Sequence, residues 1–461
     1  MTFGLAPQVG DLQETLSQAL ELALRLVARE EEPWDPVASD PQTLRARLAL
    51  RLQPEGQELP EVIAELERIL RATPATSSWR FVNQLFGGRE PTAVAAELLT
   101  AVANVSMYTF KAAGAQVLVE DELIRHMAAK LGMPAAEGSF APGGSLANLV
   151  ALLLGRDAMF PNARDQGMPA QRVAVYASTE SHYSVPKSLA VLGLGRNSLR
   201  LVQVDSRGRL RGEALRTAMA TDLAAGVKPL AVIATAGTTV RGAMDPLSEI
   251  AKVAQEAGAW MHVDAALGGS FALSPKHCHW LEGVAEADSV SWNPHKLMGI
   301  PLQASILFVR HRGALAASLD QSADYLFQNH GEEFNPGHRS LQCGRRNDAL
   351  KLWAAWRHLG DQGWAARMEA QIAMARFAAS QIAADPVMEL VEEPASINVC
   401  FTVNDQDPAI LCERLYRNGR LSIGHGMVGE TRVLRLVCVN PSIGREGIRQ
   451  ILAEVRAAAS H

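Results

Sequence analysis

Four short segments place reactive side chains beside turns. The first, Gly138-Ser-Phe-Ala-Pro-Gly-Gly-Ser-Leu-Ala-Asn148, enters a helical stretch. Small residues there, Gly144 among them, let a backbone approach a ligand closely. A helix N-terminus offers unpaired N–H groups and a positive dipole end, suited to a phosphate dianion, and Ser145 could add a hydroxyl. The second, His262-Val-Asp-Ala-Ala266, puts Asp264 at the end of an apolar run. A carboxylate in that setting must be paired or hydrogen-bonded. Beside a pyridine nitrogen it would keep the nitrogen protonated and make the ring an electron sink. The third, Asn293-Pro-His295-Lys296, sets a lysine among apolar residues. Desolvation lowers an amine's pKa, so such a lysine is nucleophilic and can form a Schiff base. The chain has only eight lysines in 461 residues, so one so placed stands out. In the fourth, Ser178-Thr-Glu-Ser-His182, the histidine could stack on a planar cofactor. Each feature alone also has an ordinary reading: a helix-capping turn, a strand-end Asp, a surface Lys, a loop His.

The elements that must position these residues follow from hydropathy. Apolar strand-like runs at 172–178, 199–204, 229–236, 260–266, 289–293 and 304–310 alternate with amphipathic helices. That pattern predicts an α/β fold with a mostly parallel sheet covered on both faces. The four segments fall at strand C-terminal ends or in turns entering helices, the edge where such sheets bind ligands. Helical spacing at 11–29, 42–52 and 60–72 predicts an N-terminal helical arm, and runs at 92–132 and 145–160 predict further helices. After about residue 350 a long helical stretch leads to strand-like MELVEE, INVCFTV and VLRLVCV, with helices at 408–418 and 444–459. The expected division is an arm over 1–78, a large α/β domain over 79–350 and a small α+β domain over 351–461.

Composition narrows the function. The chain is 48% hydrophobic and 20% charged, which excludes disordered and fibrous classes. A net charge of −5 offers no basic excess for nucleic acid. No apolar run is long enough to span a bilayer, and the first residues lack a signal-peptide pattern. Five scattered cysteines without CxxC spacing fit a reducing cytosol. His277-Cys278-His279 has no visible further ligand, so no metal site is expected.

Gly-rich turn, His, Asp and then Lys, 32 residues past the Asp, is the layout of a fold-type I pyridoxal-phosphate enzyme. NPHKLMGIPLQAS resembles the cofactor-lysine segment of the group II pyridoxal-phosphate-dependent amino-acid decarboxylases. ATAGTTVRGAMDPL and WMHVDAALGGS resemble the segments before it, and the similarity runs from about Arg80 to Pro441. FVNQL (81–85), ADYLFQ (323–328) with SLQCGR (340–345), and RLVCVNP (435–441) are similar to the branch acting on acidic amino acids. The resemblance implies a seven-stranded sheet and a homodimer with interface active sites. It implies Lys296 as the Schiff-base lysine, Asp264 at the pyridine nitrogen, His182 stacked on the ring and Thr239 at the ring hydroxyl, with Ala266 beside the cofactor. Gly144, Ser145, Asn293 and His295 would lie near the phosphate. Tyr325 would be the loop tyrosine that protonates the substrate carbon with water excluded. Arg435 and Gln84 would read the substrate's acidic end, where a guanidinium offers paired hydrogen bonds.

Phe86, Ser106 and Tyr108 resemble the cysteine sulfinate/aspartate type rather than the glutamate type. A bulky Phe86 would shorten the pocket by about one methylene. The expected reaction is therefore α-decarboxylation of a short acidic amino acid, cysteine sulfinate to hypotaurine or aspartate to β-alanine. The alternatives are glutamate or another amino acid such as 2,4-diaminobutyrate. Three places depart from the family pattern: SSWRF (77–81) lacks a His-Pro, Lys111-Ala-Ala-Gly114 replaces a Tyr-Glu-Ile-Ala-Pro segment, and Leu267 stands where an aromatic is common. A desulfurase of the same fold would need a loop cysteine. Cys343 is the one candidate, and its neighbours match the decarboxylase pattern instead.

Overall fold

The fold is given by a computed structural model that describes residues 9–34, 40–321 and 334–460. Three helices lead the chain: α1 (Val9–Ala28), α2 (Pro41–Arg47) and α3 (Leu59–Arg71). The helix expected over 42–52 stops early, because Leu48 is already extended. A two-residue strand β1 (Phe81–Val82) follows, then α4 (Pro91–Ala103), α5 (Phe110–Ala113) and α6 (Ala115–Lys130). The single run expected over 92–132 is thus broken twice, at Asn104 (φ 47°) and at Gly114 (φ 51°). The left-handed region is open to Asn and Gly but strained for most residues.

The central unit contains β2 (Glu137–Phe140), α7 (Gly144–Met159), α8 (Ala163–Gln166), β3 (Val173–Ser178), α9 (Ser184–Val191), β4 (Leu199–Val202), α10 (Gly212–Ala224), β5 (Lys228–Thr235), α11 (Leu247–Glu256), β6 (Trp260–Asp264), β7 (Ser289–Trp292), β8 (Ile306–Val309) and α12 (Ala314–Leu319). Its seven strands pair in the order β2-β8-β7-β6-β5-β3-β4. Only β8 runs against its neighbours, so the sheet is mostly parallel, as the alternation of strands and helices predicts. Strand side chains alternate between faces. On β5, Ala231 and Ile233 pack with Ala147, Val150 and Leu154 of α7 in one core. Val232 and Ala234 turn to the other, larger core.

The chain then forms α13 (Ala349–Ala383), β9 (Met388–Leu390), β10 (Asn398–Val403), α14 (Pro408–Arg417), β11 (Ser422–Val428), β12 (Thr431–Val437) and α15 (Arg445–Ala459). Its sheet has the order β1-β11-β12-β10-β9. Phe81 and Val82 pair with Ser422 and Ile423, so the FVNQL segment starts on the small sheet rather than the large one. Inside α13, Gly360 (φ 63°) kinks the helix between the two helical stretches visible in the sequence.

Candidate active site

The C-terminal edge of the large sheet gathers the candidate side chains. β2 ends before Gly143, which opens α7 at φ 93° with no side-chain cap. A Cβ on Gly144 would lie 2.7 Å from Asn293 Nδ2, so only a glycine leaves this backbone open. Asn293 is held from the other side, where its Oδ1 accepts the hydroxyl of Ser305. His295 pairs through Nδ1 with the Ala304 carbonyl at 2.6 Å. Burial pushes its pKa down to about 4, so the ring is neutral at pH 7. Ser145 stands exposed at the helix entrance. Ala266 donates its N–H to Asp264 Oδ1 (3.1 Å), and its carbonyl accepts from Asn293 N (3.3 Å).

Asp264 closes β6 and is buried. Burial alone would raise its pKa. The Lys296 ammonium, the Asn148 hydrogen bond and the nearby His262 and His182 outweigh that and hold the carboxyl below its ordinary range. Lys296 follows β7 and is held low by burial and by the Arg435 charge, against the opposing pull of Asp264. His182, between β3 and α9, is also held below its ordinary value, first by burial. Thr239 sits past β5, and its carbonyl accepts from Arg435 Nη1 (2.8 Å) and Asn398 Nδ2 (3.0 Å). Arg435 Nη2 donates to the Asn83 carbonyl, next to the exposed Gln84. Its Nε is buried with no hydrogen-bond partner among the described residues.

Phe86, Ser106 and Tyr108 are placed by other contacts. The Phe86 ring lies 5.6 Å from Phe81. Ser106 Oγ accepts the N–H of Arg345 (3.4 Å), and Gly337 is seated against the Tyr108 ring, where a Cβ would come within 2.7 Å. The buried Arg345–Glu120 ion pair (2.7 Å) braces this loop through a 3.0 Å bond from Arg345 to the Met107 carbonyl. Tyr325 lies outside the described residues. The His277 ring packs 4.4 Å from Trp280. Among the described residues, no group of three or more His, Cys, Asp or Glu side chains could hold a metal ion, and no helix is long and apolar enough to cross a membrane.

Sequence reasoning gave no role to Asn148, Ser184, Ser289 or Ser291, and quoted His262 without one. His262 pairs in register with Ser289, and Asp264 with Ser291. HVD and SVS therefore put four polar groups on one face of the sheet. Polar residues at every second position of otherwise apolar strands were the available signal.

This edge fits a phosphate-bearing aldehyde cofactor with a basic ring nitrogen. An uncapped helix end with open glycine backbone suits a phosphate. An ionised buried carboxylate suits a pyridinium, and a lysine of lowered pKa suits a carbonyl. The fold and site thus define a pyridoxal-phosphate enzyme. Residues 41–404 match the pyridoxal-dependent decarboxylase conserved domain. The chain is 37% identical to mouse cysteine sulfinic acid decarboxylase over 439 residues, covering 90% of this chain and 89% of that protein. It is 33% identical to mouse acidic amino acid decarboxylase GADL1, covering 92% and 80% respectively. The crystal structure of mouse CSAD superposes with a TM-score of 0.93 at 34% identity, covering 98% of this chain and 99% of that one. The chain belongs to the pyridoxal-dependent decarboxylase family and is an amino-acid decarboxylase that uses pyridoxal phosphate.

Proposed function

We propose that the protein removes the α-carboxylate of a short acidic amino acid, cysteine sulfinate or aspartate, with hypotaurine or β-alanine as product. One observation carries the reading: Lys296, Asp264 and His182 converge at the edge of the large sheet and act on one another electrostatically, while Arg435 reaches Lys296 from the small sheet. Pyridoxal phosphate, when bound, supplies an electron sink for the pair left behind as carbon dioxide departs. Lys296 would hold the cofactor's carbonyl carbon, and burial makes its ammonium easier to deprotonate. Asp264 keeps a proton on the pyridine nitrogen. Gly144, Ser145, Asn293 and His295 would receive the phosphate, Thr239 would meet the ring hydroxyl, Ala266 would line the ring and His182 would cover its face. Two of the five N–H bonds of Arg435 are taken by the Asn83 and Thr239 carbonyls. The Nε–H, which has no hydrogen-bond partner among the described residues, is the donor proposed for the substrate's distal acid group, with Gln84 beside it. Tyr325 is assigned by its motif alone to return a proton to the substrate carbon.

Phe86, Ser106 and Tyr108 set the pocket length in this reading. Support comes from their resemblance to the cysteine sulfinate type and from the similarity to mouse cysteine sulfinic acid decarboxylase. A homodimer is part of the proposal. The exposed apolar residues Leu20 and Leu24 of α1, Val62 and Leu66 of α3, and Leu98 and Leu99 of α4 are what a second subunit would cover. A reducing cytosol is the proposed compartment, and the five cysteines are all free thiols. The test is borohydride reduction of the cofactor-loaded protein followed by peptide mass mapping. The proposal expects the adduct on Lys296 and no amine product from Lys296→Ala. An adduct on another lysine would overturn the assignment.

A further inference from the structure

Behind Asp264 lies a hydrogen-bond chain whose direction is set at the carboxylate. A carboxylate can only accept, so the Asn148 carboxamide turns Nδ2 toward Asp264 and Oδ1 away from it. Oδ1 accepts from His262 Nε2 (3.0 Å), which is therefore the protonated nitrogen, and from the Ser291 hydroxyl (3.2 Å). His262 Nδ1 is left to accept the Ser289 hydroxyl (2.9 Å), and Ser289 Oγ in turn accepts from the Trp260 indole (2.9 Å). Nδ2 donates to Asp264 Oδ2 (2.7 Å) and to Ser184 Oγ (3.0 Å). Ser184 in turn donates its hydroxyl to His182 Nδ1 (2.8 Å), and its backbone N–H aims at the same nitrogen (3.2 Å). His262 and Asn148 are almost wholly buried. Neither can exchange partners with water.

We infer that Asn148 and His262 are positioning residues of the decarboxylase. One carboxamide, oriented by the imidazole behind it, holds Asp264 as a carboxylate facing the cofactor and keeps the proton of His182 on Nε2. Both ends of the chain are groups that meet the cofactor. A flipped Asn148 would present its oxygen to the Asp264 carboxylate and lose both arms at once. The relay prevents that flip without placing any charge in the core. The inference rests on the reading of Asp264 as the pyridine-nitrogen partner, and the controls separate the two.

The experiment uses the cofactor-loaded protein. Asn148→Leu, His262→Leu, His262→Gln and Asp264→Ala are compared for retention of pyridoxal phosphate on dialysis and for the pH midpoint of the bound cofactor's absorbance. Asn148→Leu and His262→Leu are expected to weaken retention at least tenfold and to move the midpoint in the same direction as Asp264→Ala. His262→Gln keeps an N–H donor toward Asn148 and is expected to restore most of both. If Asp264→Ala moves the readouts while Asn148→Leu and His262→Leu match the parent, the relay is wrong. If Asp264→Ala itself moves nothing, the reading of Asp264 fails and the relay fails with it. A measurement on the unaltered protein covers the case where a core variant does not fold. Solid-state ¹⁵N spectra of histidine-labelled protein, with His182 assigned by difference against His182→Gln, should show Nδ1 bare and Nε2 protonated. A protonated Nδ1 on His182 would overturn the inference.

Discussion

Buried neutral histidines make this protein's stability depend on pH in a defined window. Burial holds His262 and His295 at about 4, against 6.5 for a free imidazole. Between those values the unfolded chain binds protons that the fold excludes. Stability is therefore fully kept above pH 6.5 and falls as pH drops toward 4, by roughly 3 kcal/mol per histidine at most. The urea midpoint should fall between pH 7 and pH 4.5, and fall less in His262→Gln; an unchanged midpoint would contradict this. Phe86 supports a second expectation. On the proposed role of Phe86, Phe86→Ser should raise kcat/KM for glutamate relative to cysteine sulfinate about tenfold, the worth of one methylene. Steady-state assays on both acids check it, and an unchanged ratio would show that Phe86 does not set the pocket. Lys296, Asp264 and His182 stood out in the sequence through their order and spacing, since each alone also has an ordinary reading. Asn148 did not, since an Asn within the helical run SLANLVALLL reads as a tolerated polar residue until the strand beneath it is known.

α7 is the element that ties the phosphate end of the site to the relay. It lies so close to β6 that a Cβ on Gly155 would come within 2.9 Å of Trp260 Cβ. Gly155→Ala should cost about 1–3 kcal/mol through overpacking. Because the helix is lifted off the strand that carries Asp264, cofactor retention should weaken too. Thermal unfolding with and without cofactor checks both, and a variant matching the parent in both would show that this close approach does not matter. The strands of the large sheet were readable from their apolar runs, but β2 and β11 were not. β2 is four residues, Glu-Gly-Ser-Phe, with one large apolar side chain. β11 reads Ser-Ile-Gly-His-Gly-Met-Val. Its glycines are demanded by neighbours, for a Cβ on Gly424 would meet Asn83 Oδ1 at 2.5 Å and one on Gly426 would meet Val240 Cγ1 at 2.7 Å. Such crowding is a tertiary fact that no local pattern announces.

At the scale of the molecule, the small sheet reaches into the site through the loop after β5. Asn398 Nδ2 donates to the carbonyls of Thr239 and Val240 (both 3.0 Å), and Ser396 donates to that of Gly242 (3.0 Å). Asn398→Ala removes one donor from each carbonyl; because Arg435 still serves Thr239 and the Cys400 thiol still serves Val240, it costs about 1 kcal/mol. It should raise KM more than it lowers Tm, because the loop also places Arg435 against Thr239. Kinetics and calorimetry on the same preparation decide it, and a lower Tm with unchanged KM would make the contact purely structural. If two subunits cover the exposed faces of α1, α3 and α4, light scattering should give about 99 kDa, twice the 49.6 kDa chain. A 49.6 kDa particle would contradict the dimer. The central claim is the reaction and its substrate. The most direct measurement is amine product from the loaded protein with cysteine sulfinate, aspartate, cysteate and glutamate, each supplied separately. Fastest product from cysteine sulfinate or aspartate is the expected result; fastest product from glutamate would contradict the short pocket, and no amine from any of the four would contradict the acidic-substrate reading itself.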